Sequence, residues 1–436
     1  MRKLKIVLLT SGILLLLMVV ALFFAFKEFL YKPNDGDVAP DMQQAPSDSN
    51  SNGGGESGAS KVVLTPSDAS KNLLYQKGAD GASYVVKGIG LCTDTDIIIP
   101  DTCNGYPVVA IDVAAFKDNR NITSVVVGAN VTSIAESAFL NCTRLTSVTL
   151  PDGLKALRTN AFGGCVSIKS LVIPSSVTSI SAGALNDTAI VDLTFPIANL
   201  ADIEYLFCSD ITHHTPTTLK TLTVTSGTTV PAFFFSSASS ITSISLPHTV
   251  TIIDTSAFVF CYLLESITVD ENNTVYRSVD GNLYTKDMKT IVKYAIGRTE
   301  PSFTLPSSVT DIGTYAFYSV KNLTSITIPN TVKTIHYGAF MYSSITSVDI
   351  PDSVTTIKNS AFYQCNSLLS VTIGMGVNRI EENAFSDCQK LDSVVFMNKN
   401  GWMADQYEIT PAELEDPATA AAYLDSPYGD NVWTRT

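Results

Sequence analysis

One dipeptide, returning at a nearly fixed interval, constrains this chain more than any other feature. Ala115-Phe116, Ala138-Phe139 and Ala161-Phe162 stand 23 residues apart, as do Ala316-Phe317 and Ala339-Phe340. Ala361-Phe362 follows after 22 residues and Ala384-Phe385 after a further 23. Between copies the same apolar positions come back: Leu145, Val148, Leu150, Leu154 and Leu157 in one, and Leu323, Ile326, Ile328, Val332 and Ile335 in another. A period on the order of 20–50 residues is the signature of a solenoid, in which each unit buries its apolar face against its neighbours.

One copy reads as strand, turn, short strand, turn. Leu145, Val148 and Leu150 lie on a strand that Pro151 ends, because proline cannot donate to a ladder. The alanine of Ala-Phe leaves room for the ring, so stacked copies predict an aromatic column of Phe116, Phe139, Phe162, Phe258, Phe317, Phe340, Phe362 and Phe385. Cys142, Cys165, Cys261, Cys365 and Cys388 all stand three residues after the phenylalanine. Asn119, Thr188, Ala238 and Ser343 take that place elsewhere, which predicts a tight, buried ladder of reduced thiols. Ala184-Leu185 and Phe233-Phe234-Phe235 are degenerate copies, and Ile197–Thr217 breaks the pattern around Phe207, Cys208, His213 and His214.

The consensus AF-x-x-C-x-x-L-x-S-V-x-L-P-x-x-V-x-x-I resembles the BspA-like leucine-rich repeats, a family of cell-surface proteins. The resemblance runs from about Leu73 to the C-terminus. It implies a β-rich leucine-rich-repeat solenoid of short strands and turns, with roughly ten repeats, and an adhesion-type role. Such a scaffold fixes shape and leaves the ligand open.

The flanks add expectations of their own. Arg2, Lys3 and Lys5 precede an apolar run of 21 residues, Ile6 to Phe26, long enough to span a bilayer. Bulky Phe23, Phe24 and Phe26 occupy the place of a cleavage site, so residues 1–32 read as a transmembrane signal anchor, with a cleaved signal and secretion as the alternative. Basic residues before the run place the remainder outside a cell membrane as a single-pass protein. Residues 33–61, rich in Ser, Gly, Asn and Pro, read as a disordered tether. Residues 62–107 form an N-terminal β cap in which Cys92 and Cys103 are candidates for a disulfide, and Asp94 and Asp96 read as turn caps. Residues 108–396 hold the repeats, with a β-hairpin insertion at 270–303 that is either a protruding binding loop or a packed extra hairpin. Residues 397–436 read as a small helical cap. Thr410-Pro411-Ala412-Glu413 and Asp416-Pro417 signal two helix starts, and Trp402 and Trp433 supply either closing area or an aromatic sugar site.

Chemistry is sparse. His213, His214, His248 and His336 make no metal spacing, and no nucleophile elbow, phosphate-binding glycine loop or Cys–His constellation is present. The expectation is therefore a non-enzyme with no cofactor and no metal. A net charge of −13 disfavours nucleic acid as a partner. Two surfaces remain as candidate binding sites for an extracellular protein or glycan. One is an outward hydroxyl ladder containing Thr149, Thr268, Thr327 and Thr372, placed by period-2 alternation between inward aliphatics. The other is the tyrosine cluster Tyr315, Tyr318, Tyr337, Tyr342 and Tyr363.

Overall fold

The computed structural model describes residues 69–208, 214–426 and 428–435. The expected membrane span Ile6–Phe26 and the tether 33–61 lie outside them. No helix among the described residues is long and apolar enough to cross a membrane.

These residues form a β-solenoid of about 13 turns. That exceeds the roughly ten repeats counted from Ala-Phe, because turns lacking the dipeptide are still complete rungs. Asp192–Phe195 and Thr221–Val224, for example, pair in parallel register through Leu193 and Leu222. The longer strands stack in three parallel groups: Asp96–Ile98 to Ser147–Thr149, Ser170–Val172 to Ser266–Val269, and Ser302–Thr304 to Ser393–Phe396. Two-residue strands such as Ser133–Ile134, Ala156–Leu157 and Ser179–Ile180 pair on a second side.

The third side explains the dipeptide. The amide of most column phenylalanines donates to the carbonyl of the next turn's alanine: Phe116 to Ala138 at 2.7 Å, Phe139 to Ala161 at 2.9 Å and Phe317 to Ala339 at 2.7 Å. Repetition of that bond at a constant rise brings the rings face to face. Phe116, Phe139 and Phe162 stack at 5.0 and 5.2 Å, and Phe317, Phe340, Phe362 and Phe385 at 4.9 Å each. The column is not continuous. Leu185 and Leu206 interrupt it after Phe162, and it resumes at Phe235 and Phe258, 5.5 Å apart.

The cysteines sit beside this column. The Sγ atoms of Cys142 and Cys165 each donate at 3.1 Å to the phenylalanine carbonyl one turn back, Phe116 and Phe139, and Cys365 and Cys388 repeat the contact on Phe340 and Phe362. This place therefore calls for a small side chain with a weak donor. Ser343 takes it in one turn, its hydroxyl 3.4 Å from Cys365 Sγ. Burial pushes the Cys142 and Cys261 thiols up to about 12, which keeps them protonated and unreactive.

Three expectations are corrected. Cys92 and Cys103 are free thiols. Cys103 stands in a tight hairpin opposite Tyr106, while the Cys92 amide closes a separate turn on Ile89. The C-terminal cap is mostly β. Trp402–Ala404 pairs with Tyr407–Ile409 and Trp433–Arg435, and the last of these pairs with Arg379–Ile380. Thr410 and Glu413 do exchange capping-box hydrogen bonds, but they close only a turn, and Pro417–Asp425 is the α-helix of the cap. Both indoles are 1% exposed against Phe396, at 5.3 and 6.0 Å, so they supply closing area and present no ring face to a sugar.

The insertion is packed. Tyr276–Val279 and Asn282–Thr285 form a hairpin over Asp280 and Gly281, both at positive φ (49° and 75°) as a type I′ turn requires. Gly281 accepts the Ile267 amide at 2.8 Å, which lands the turn on the preceding rung. Thr290–Lys293 then pairs with Asp311–Ile312, and Tyr294 stacks on Phe317 at 5.2 Å. The insertion thus begins the third aromatic stack.

Candidate recognition surface

Most turns bend sharply on either side of Ala-Phe, and in them both bends use left-handed backbone. Before the dipeptide stand Ser137, Asn160 and Asn383, at φ of 58°, 54° and 57°. Two residues after the phenylalanine stand Asp118, Asn141, Asp187 and Asp387, at φ of 60°, 58°, 52° and 58°. Small polar residues tolerate this conformation, whereas large rings do not: the left-handed state costs about 1–2 kcal/mol for a residue with a Cβ.

Four of these bends nevertheless carry large aromatics: Phe233 at φ 56°, Phe260 at 69°, Tyr315 at 55° and Tyr342 at 62°. Phe233 is buried beside Phe234 in a degenerate turn, while the other three lie together. Edge-to-face and tilted contacts link Tyr262, Phe260, Tyr318, Tyr342 and Tyr363 in a row, with successive centroids 6.0, 6.3, 5.6 and 6.0 Å apart. Tyr315 joins the row through Tyr318 at 5.5 Å and Tyr337 at 5.4 Å. The structure brings together all five tyrosines of the sequence cluster, in two roles. Tyr315 and Tyr318 are buried and form the floor, while Tyr337, Tyr342 and Tyr363 are half-buried and form the rim. Tyr262, 47% exposed, extends the rim.

Two lysines hold the strained bends. Lys293 Nζ, on a side chain 1% exposed, donates to the Tyr315 carbonyl at 2.8 Å and lies 5.9 Å from the Tyr318 ring centroid. Lys321 Nζ donates to the Tyr342 carbonyl. Burial lowers Lys293 to about 7, with the Cys261 thiol acting the other way. Burial also raises the Tyr315 and Tyr318 hydroxyls far above their ordinary range and Tyr342 to about 12, so the strip keeps its hydroxyl protons at neutral pH. At one end the Gln364 amide donates to the Tyr363 hydroxyl at 3.1 Å and to the Asp387 carboxylate at 3.2 Å.

Sequence reasoning missed Phe260, Tyr262 and Lys293. A signal for Phe260 existed: it occupies the place of Asp118 and Asn141. Nothing local marks Lys293, which reaches the strip only because the insertion packs.

The outward threonines are arranged differently. Thr149, Thr268 and Thr327 are exposed and Thr372 is half-buried, but the four fall in three separate sheets. Their register neighbours include Val126 beside Thr149, and Asp349 and Val395 on either side of Thr372. Thr194, Thr223, Ser245 and Thr268 make an uninterrupted hydroxyl run of only four rungs.

Among the described residues no cluster of His, Cys, Asp and Glu could hold a metal ion. The family model for the BspA type leucine rich repeat region matches residues 109–226, 216–279 and 289–405, in six copies. Similar solved structures include a leucine rich cell surface protein from Faecalibacterium prausnitzii, 26% identical over 76% of this chain and 94% of that one, with a TM-score of 0.37. A leucine-rich repeat protein from Bacteroides ovatus is 22% identical over 74% of this chain and 93% of its own, with a TM-score of 0.40. Another, from Eubacterium ventriosum, is 21% identical over 75% and 83%, with a TM-score of 0.37. No curated protein matches the chain.

Proposed function

The chain belongs to the BspA type leucine-rich repeat family, and on that premise we propose that it is a non-catalytic recognition protein of the cell surface. In this reading Ile6–Phe26 anchors it in the membrane as a single pass. The repeats stand outside and bind an extracellular protein or glycan by an adhesion-type contact.

The observation that carries the reading is that three of the four aromatic left-handed bends, Phe260, Tyr315 and Tyr342, meet in one strip. The fold does not need rings there, since other turns make the same bends with Ser, Asn, Asp or Gly. Side chains kept at a local energetic cost are expected where a surface serves more than folding. Aromatic rings locked by their neighbours also give large contact area with little left to order on binding.

The test is to present the full chain, in detergent, to glycan and extracellular-protein arrays. It is compared with Phe260→Asn/Tyr342→Asn and with a variant carrying Lys at Thr149, Thr268, Thr327 and Thr372. The strip reading expects a ligand that the first variant loses and the second keeps. Loss only in the threonine variant would move the site to the hydroxyl face. The absence of any ligand would favour a structural spacer of the cell envelope.

A further inference from the structure

The strip restricts the chemistry of its ligand. Its backbone is already used: the amides of Phe317, Ser319, Tyr342 and Gln364 donate to Ala339, Met341, Tyr363 and Ser386 in the adjoining turns, at 2.7, 2.8, 3.0 and 3.0 Å. An extended peptide adding itself as a strand would need such groups unpaired, so strand addition is closed at this surface. The charge pattern disfavours a second class. Buried Lys293 and exposed Lys321 are both committed to the Tyr315 and Tyr342 carbonyls, the Asp387 carboxylate lies on the border of the strip, and the chain carries −13 overall. Of the two lysines only Lys321 is exposed to receive an anionic ligand, which would also meet the Asp387 carboxylate.

What the strip does offer is a row of rings about one turn apart, with hydroxyl, amide and carboxylate groups along one border. Tyr363, Gln364 and Asp387 already form a hydrogen-bonded series across two turns, and the Asp387 carboxylate accepts. Apolar rings beside planar donors and acceptors match a ligand with C–H faces and hydroxyl edges. A ligand that repeats along its length matches a surface that repeats along its own.

Resting on the recognition reading above, we propose that the strip from Tyr262 to Tyr363 binds a linear, neutral oligosaccharide. The sugar C–H faces lie on the half-buried rings of Phe260, Tyr342 and Tyr363. Its hydroxyls bond to Gln364 and Asp387.

Calorimetry on the full chain in detergent tests this with neutral hexasaccharides of β-linked glucose, mannose and xylose. A proline-rich peptide, which docks on rings without using a backbone ladder, serves as the competing probe. The variants are Tyr342→Asn and Tyr363→Asn, with Thr178→Lys on an exposed turn as control. The expected result is binding of at least one hexasaccharide, insensitive to salt. Each ring substitution should weaken it by about tenfold or more, the loss typical of an anchoring aromatic, while the control leaves it unchanged. Binding of the peptide alone, lost in the same ring variants, would overturn the carbohydrate assignment and leave the recognition strip standing. Binding of neither probe, joined to unaltered array ligands in the ring variants, would overturn both.

Discussion

The turns around Phe139 and those around Phe317 have the same backbone and different borders. Near Phe139 the left-handed bends carry Ser137 and Asn141, which accept that conformation cheaply. Near Phe317 and its neighbours the equivalent bends carry Tyr315, Tyr342 and Phe260. The interior barely notices. Rings stack at 5.0 Å in the first region and 4.9 Å in the second, with the same amide-to-carbonyl ladder. The difference teaches that folding and the aromatic border are separable demands on one scaffold. The first is met by Ala-Phe and the aliphatic positions in nearly every turn. The second is written over it in a few turns only.

That separation can be attacked first through the column. Phe340→Ala removes a fully buried ring from the middle of a stack and should cost about 3–5 kcal/mol in chemical denaturation. A cost near 1 kcal/mol would mean that the column does not hold the second region together.

Lys293 joins the two demands, and its signature is a pH dependence. The unfolded chain holds this proton up to 10.5, while the folded chain holds it only below about 7. Between those values unfolding takes up a proton, so stability rises with pH, by at most about 1.4 kcal/mol per pH unit. Buried thiols and tyrosines act in the opposite sense from about pH 9 upward, because their folded values are raised. Denaturation between about pH 7 and 9 should therefore show a rise that Lys293→Met flattens. An unchanged slope in that variant would show that another group carries it.

Smaller effects sharpen the contrast. Cys165→Ser keeps a small side chain with a donor toward the Phe139 carbonyl, at the place that Ser343 takes one turn before Cys365, and should cost less than Cys165→Ala, with the gap about 1 kcal/mol. Equal costs would show that volume alone fills this position. Smallest of all is Thr327→Lys, exposed and off the strip, expected to stay within about 0.5 kcal/mol of the native chain.

The solenoid was legible because periodicity repeats its message: each Ala-Phe copy predicts the next, and errors in one turn are outvoted. The tyrosine cluster was legible for the same reason, since Tyr315, Tyr318, Tyr337, Tyr342 and Tyr363 fall in successive turns. What escaped was whatever only packing decides. The burial of Tyr315 and Tyr318 depends on Tyr337 and Tyr342 covering them, and a residue alphabet does not separate floor from rim. Lys293 becomes part of the strip through an insertion whose large apolar residues point to a packed hairpin, while the pattern does not say where its lysine ends up. The tail misled because Thr410 and Glu413 form a genuine capping box, yet the buried indoles of Trp402 and Trp433 draw the surrounding chain into strands. The threonines misled because alternation identifies which residues face outward, while continuity across sheets depends on register partners such as Val126 and Asp349.

The most direct measurement pairs stability with binding in a single variant, Phe260→Asn/Tyr342→Asn, which gives both bends the residue that Asn141 uses. Relief of two left-handed rings at about 1–2 kcal/mol each offsets the ring contacts that are lost. The account therefore predicts stability within about 1 kcal/mol of the native chain, together with loss of the ligand. A drop comparable to that of Phe340→Ala, with ligand binding intact, would contradict it and return these rings to the core.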